Sequence, residues 1–116
     1  MHELSIAISI VEAAEEEAAH QGSTSVATVF LRLGPLSGVV KEALLFSYEV
    51  ACEGTPMEGS RLSIEEVPVI VFCPDCEAQH TLQSIQSFYC PVCGSSAAEI
   101  RQGRELEITG LEIESP

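Results

Sequence analysis

Tryptophan is absent from this chain of 116 residues, and aromatic side chains make up only 5% of it. A core must therefore be assembled mainly from Ala, Val, Ile and Leu, and 46% hydrophobic residues are enough to build one. Basic residues are also scarce. Five Lys and Arg stand against 18 Asp and Glu, for a formal charge of -13. Such a surface repels phosphate backbones and anionic membranes, which argues against nucleic acid and membrane as partners. It attracts cations and basic protein surfaces, and it also keeps a protein soluble. Long apolar runs are missing: Val69-Ile70-Val71-Phe72 is far short of the roughly 20 residues of a membrane span. A secretory leader begins with a basic segment, yet the first Lys or Arg here is Arg32, so a cytoplasmic protein is expected. No nucleophile–base pair can be assembled, and Glu15-Glu16-Glu17 reads as a solvated helix face; no enzyme is expected.

The apolar spacing sets out the elements. Leu4, Ile8, Val11, Ala14 and Ala18 recur at threes and fours, which predicts a helix over 3–20 that stops at Gly22. Residues 25–33 read as a strand, with Ala27, Val29, Leu31 and Leu33 on one face and Arg32 on the other. A second helix is expected from about 39 to 53, lined by Val40, Leu44, Tyr48 and Ala51. Another strand follows near 61–67, with Leu62 and Ile64 inward. After a polar linker around 94–103, residues 104–114 form a last strand. Its apolar positions change parity between Ile108 and Leu111, which predicts a β-bulge or bend at Gly110. The fold class is mixed α/β (α+β): a small sheet packed with two helices, with a zinc-ribbon-like four-cysteine module inserted before the last strand. The expected division is a domain over 1–68 completed by 104–116, and a metal module over 69–103.

Cysteine supplies the strongest motif. Cys73-x-x-Cys76 and Cys90-x-x-Cys93 are separated by thirteen residues. Two tight knuckles of this kind bring four thiolates into a tetrahedron, the geometry of a structural Zn2+ site. Pro74 and Pro91 stiffen the knuckles, and Gly94 follows the second. The segment is too small to bury a core, so metal binding must supply much of its folding free energy. Iron in a rubredoxin-like electron carrier is the alternative. Two disulfides are disfavoured in a reducing compartment. A zinc-ribbon nucleic-acid adaptor ranks last, because no Lys or Arg lies between Phe72 and Arg101. His80 lies between the pairs and is expected to be exposed rather than a ligand; Cys52 is expected to be a buried small apolar residue.

The start of the chain, Met1-His2-Glu3, carries a second, weaker motif. The Met1 amine and the His2 amide nitrogen close a five-membered chelate ring on a metal. That amide nitrogen and the His2 Nδ1 close a six-membered ring. Three nitrogens in one plane suit Ni(II) or Cu(II) rather than zinc. The amide proton is the easier to lose because the first N–H groups of a helix have no intrahelical partner. Glu3 would complete or orient the fourth position. Initiator Met removal requires a small second residue, so Met1 should be retained ahead of His2.

Taken together, the opening Met1-His2-Glu3-Leu4-Ser5, the paired Cys73-x-x-Cys76 and Cys90-Pro91-x-Cys93-Gly94, and the closing Gly103-Arg104-Glu105-Leu106-Glu107-Ile108 resemble the HypA/HybF family of hydrogenase nickel-incorporation proteins. The resemblance spans essentially the whole chain. It implies a nickel metallochaperone for hydrogenase maturation: a protein that accepts Ni2+ and passes it, with a GTPase partner of the HypB type, toward the large subunit of [NiFe]-hydrogenase. Urease maturation proteins are further partners that it implies. By the same resemblance His2 is the primary nickel ligand, with the Met1 amine and Glu3 beside it, and Cys73, Cys76, Cys90 and Cys93 bind zinc. The oligomeric state stays open between monomer and homodimer. One departure stands out: Glu77 occupies the position after Cys76 where the family pattern places glycine.

Overall fold

Two stretches of three-and-four apolar spacing become the two helices of the computed structural model, which describes residues 2–23, 25–83 and 88–114. The order is α1 (Glu3–His20), β1 (Val26–Leu33), a short 3-10 turn (Pro35–Ser37), α2 (Lys41–Cys52), β2 (Arg61–Glu66), β3 (Ile70–Cys73), β4 (Ala78–Thr81), β5 (Glu99–Gln102) and β6 (Leu106–Ile113). This is the mixed α and β class that the apolar spacing predicts. The chain divides into two units, one of Met1–Arg32, Val39–Glu65 and Glu107–Pro116, the other of Leu33–Gly38 and Glu66–Leu106.

The first unit holds both helices and a three-stranded sheet in the order β2-β1-β6. Helix α1 buries Ala7, Ile10, Val11, Ala14 and Ala18. Leu4 and Ile8, expected on that stripe, are 45% and 43% exposed. The buried face is turned toward the alanines, whose small side chains let α1 approach its neighbours closely. Helix α2 buries Leu44, Tyr48 and Cys52, one per turn, while Val40 at its start is exposed. Leu44 is fully buried, which is worth roughly 2 kcal/mol of apolar transfer. Gly22 ends α1 at φ 74, and the Ser23 N–H returns to the Ala18 carbonyl at 2.9 Å.

One polar cluster lies within this core. The Ser60 hydroxyl donates to the Met57 carbonyl at 2.6 Å, so the Tyr48 hydroxyl, 2.7 Å away, donates to Ser60. Cys52 Sγ is 3.7 Å from the same oxygen. Burial raises the Tyr48 pKa well above its ordinary value, since a phenolate there would lose its water.

The last strand keeps apolar residues inward across its change of parity. Ile108 and Leu111 both pack against the core despite opposite parity. In strand β1 the consecutive Thr28 and Val29 are both buried, and the Thr28 hydroxyl donates to the Glu112 carboxylate at 2.8 Å. Leu106, at the start of β6, is 36% exposed.

The second unit is built on its own antiparallel sheet, β4-β3-β5. Cys73 pairs with Ala78 and Val71 with His80 on one side; Phe72 pairs with Glu99 and Val71 with Ile100 on the other. Residues 94–103, expected to be a polar linker, thus include a strand. A glycine is required at position 34, where an added Cβ would lie 2.1 Å from the Gly103 carbonyl oxygen. The chain closes there through Leu36 N–H to Gly103 O at 2.7 Å and Gly34 N–H to Glu105 O at 2.8 Å.

Candidate metal centre

Strand pairing brings the first knuckle together. Cys73 ends β3 and faces Ala78 at the start of β4, so residues 74–77 must turn the chain back within one hairpin. The turn closes at Glu77, which adopts φ 53, a left-handed conformation that costs a residue with a Cβ about 1–2 kcal/mol. Gly94 takes φ 76 at the equivalent place after Cys93. Both knuckles thus need left-handed backbone after their second cysteine. The first achieves it without glycine, so the departure at Glu77 leaves the turn intact.

Hydrogen bonds fix the knuckles. The Cys76 N–H points at Cys73 Sγ, 3.4 Å away. The Gly94 N–H donates to the Cys90 carbonyl and the Cys90 N–H to the Ser95 carbonyl, each at 2.9 Å. The Ser95 hydroxyl donates to the Asp75 carboxylate and so links one knuckle to the other.

The four sulfurs lie within 4.8 Å of one another. Cys73 Sγ is 3.6 Å from Cys93 Sγ, and Cys76 Sγ is 3.8 Å from Cys90 Sγ. A tetrahedron with metal–sulfur bonds of about 2.3 Å has edges near 3.8 Å, so these two separations match what thiolates sharing one ion require. A disulfide would require about 2.05 Å, and all four cysteines are free. Cys73 and Cys90 are buried and Cys93 is exposed, so the site has a closed floor and an open edge.

The protonation pattern agrees. Backbone N–H groups, that of Cys93 foremost, lower the Cys90 thiol to about 6. Hydrogen bonding to the Cys93 sulfur, with burial, drives the Cys76 thiol upward. Sulfurs packed this closely cannot all carry charge without a cation among them; a divalent ion lets all four ionise, releasing protons as it binds.

The terminal motif stands in the other unit. His2 is the N-cap of α1, with extended backbone at φ -92 and ψ 92 and an exposed side chain that makes no capping bond. Its carbonyl accepts the Ile6 N–H at 3.2 Å. Glu3 occupies the first turn, and its Oε2 accepts the Val40 N–H at 3.5 Å. Met1 lies outside the described residues. Among the described residues, the four cysteines are the one group of three or more His, Cys, Asp or Glu side chains gathered closely enough to share an ion. His80 is not among them; it sits on β4 opposite Val71 with its Nε2 buried and unpartnered. Cys52 is buried in the first unit's core. Sequence reasoning missed the Asp75–Ser95 link, which no spacing rule announces.

Three comparisons bear on this arrangement. The family model described as hydrogenase/urease nickel incorporation, metallochaperone, HypA, matches residues 1–113. A hydrogenase maturation factor HypA of Chloroflexus aurantiacus is 53% identical over 112 residues, covering 97% of this chain and 98% of that protein. One from Roseiflexus is 53% identical over 114 residues, covering 98% and 93%. The solution structure of the Ni metallochaperone HypA from Helicobacter pylori superposes with a TM-score of 0.71 at 25% identity, over 100% of both chains. The rubredoxin-like alternative gains no support from these likenesses.

Proposed function

We propose a nickel-carrying role for this chain, which belongs to the HypA family of hydrogenase and urease nickel-incorporation metallochaperones. Ni(II) is the cargo rather than a resident cofactor. It is held at the start of the chain by the Met1 amine, the His2 amide nitrogen and the His2 imidazole, with Glu3 beside them. Cys73, Cys76, Cys90 and Cys93 hold a structural Zn2+, and because four protein ligands close a tetrahedron, that ion has no place for a substrate. Residues 1–68 with 104–116 act as the nickel domain and 69–103 as the zinc module. The protein has no catalytic turnover of its own. It works in the cytoplasm, as a monomer or homodimer, and hands nickel on with a GTPase of the HypB type to the large subunit of [NiFe]-hydrogenase; urease maturation proteins are further recipients.

The observation that carries this reading is the family match over residues 1–113, which takes in His2 and all four clustered cysteines. The structure supports it in two ways. The sulfur separations suit one tetrahedral ion. The exposed His2 has a helix-start amide with no intrahelical partner, which eases loss of the amide proton on planar binding. Release follows from exposure as well, since an incoming ligand can displace a terminal chelate one bond at a time. Calorimetric titration with Ni(II) of the native chain and of His2→Ala tests the reading. The substituted chain should lose nickel uptake and keep one zinc per molecule; equal nickel affinity in both would defeat the proposal.

A further inference from the structure

The sheet of the first unit runs β2-β1-β6, so β6 stands at its end, with no strand beyond it among the described residues. Its neighbour β1 buries Val26, Thr28, Val29, Leu31 and Leu33, whereas no residue of β6 is buried. Ile108 and Leu111 are only half-buried against the core, and Ile113 is half-buried as well. These three line a groove of about 610 Å3 against Ala13, Ala14 and the exposed Glu17 of α1, within the first unit. The acidic residues of β6 engage the other face of β1. Glu107 lies 3.9 Å from Arg32, and Glu112 accepts from Thr28. Thr28 and Arg32 share the face of β1 opposite Val29 and Leu31. One face of β6 is thus apolar and open to the groove, and the other is acidic.

The free edge of a sheet offers N–H and C=O groups that recruit a further strand unless something deters it. Lys and Pro are common deterrents, and β6 holds neither. Its charge is acidic instead, with Glu107 and Glu112 inside the strand and Glu105 and Glu114 at its ends. A second copy of this chain laid along β6 would set these carboxylates against each other, which disfavours it as the occupant. Neither β6 nor α1 carries a Lys or Arg, in a chain with a formal charge of -13. The edge therefore attracts positive charge and repels negative.

We propose that the β6 edge, with the groove beside it, is a docking surface for an extended basic segment of another protein, which joins the sheet as a further strand. Alternate residues of that segment are apolar and enter the groove. Those between them are Lys or Arg and lie on the side of Glu107 and Glu112. Backbone bonds supply the attachment and the alternation supplies the selectivity. Nickel has no part in this contact, so the inference stands apart from the cargo reading.

The test titrates the full chain, followed by NMR, with three end-blocked peptides as long as β6. One alternates Val and Lys, and one alternates Val and Glu. The third is the Val–Lys peptide N-methylated throughout, which keeps the charge and removes every backbone donor. The plain Val–Lys peptide should shift the amide signals of Ile108, Gly110 and Ile113 with those of Ala13 and Glu17, and should slow amide exchange along β6. The other two peptides should bind about tenfold more weakly or worse. Glu17→Lys, at an exposed helix position, should weaken the Val–Lys peptide about threefold, the scale of one exposed charge pair. Equal binding of the methylated peptide would reduce the contact to charge alone and overturn the proposal. So would equal binding of the Val–Glu peptide, shifts lying outside β6 and α1, or no binding by any of the three. Shifts along β6 that grow with protein concentration and no peptide would make a second copy the occupant, and would overturn it too.

Discussion

The two units of this chain reach order by different physics. The first has a continuous apolar cluster running from Ala7 and Ile10 through Val29, Leu31, Leu44 and Tyr48 to Leu62. The second has a handful of buried apolar residues outside that cluster, Leu33, Val67, Val69 and Val71, together with the clustered cysteines Cys73 and Cys90. Its three strands are four residues each, near the short end of what pairs stably. One unit is held by what water rejects; the other gathers four cysteines that could hold an ion.

Removing the ion should break the comparison most sharply. Structural zinc contributes on the order of 10 kcal/mol to small modules. A strong chelator, or Cys73→Ser, should therefore unfold the second unit outright and leave the first folded. Exchange of the Val71 and His80 amides should accelerate strongly, whereas that of Leu44 and Tyr48 should not. Acidification should act in the same direction, because protons compete with the ion for the four thiolates.

The next effect falls in the first unit alone. Tyr48→Phe deletes the hydroxyl that donates to Ser60, at a cost of about 1 kcal/mol near neutral pH. The pH dependence has a definite sign. Burial keeps Tyr48 protonated in the fold above its ordinary value of 10.0, whereas the unfolded chain ionises there. Stability of the first unit is then unaffected below pH 10.0 and declines above it, and Tyr48→Phe should remove that decline. Urea melts at pH 8 and pH 11, read by amide signals of the first unit, check both halves.

The smallest effect sharpens the comparison from the other side. Glu77→Gly relieves the left-handed strain at φ 53, less the entropy that glycine adds to the unfolded chain. A net gain of about 1 kcal/mol should appear as tighter zinc retention in a chelator competition. The melting of the first unit should not move.

The same contrast governs what could be read in the sequence. The first unit was legible because its elements are long enough to show a period: α1 is 18 residues and α2 is 12. What the period did not give was which edge of each stripe turns inward, so Leu4, Ile8 and Val40 proved exposed. The four cysteines were legible from spacing alone. The sheet around them was not, because Ala78–Thr81 and Glu99–Gln102 are short and mostly polar, too brief to show a hydrophobic period. The tie from Glu3 to Val40 spans 37 positions, and only the packing of α1 on α2 makes it possible.

The most direct test of nickel carriage at the terminus is a Ni(II) titration of the native chain beside one lengthened by a single residue ahead of Met1. The extra residue makes the first amine part of a peptide bond and destroys the chelate while leaving every folded contact in place. The native chain should bind one nickel with the spectrum of a planar nitrogen site, and the lengthened chain should bind none there, with zinc content equal in both. Equal nickel affinity in the two would contradict the account.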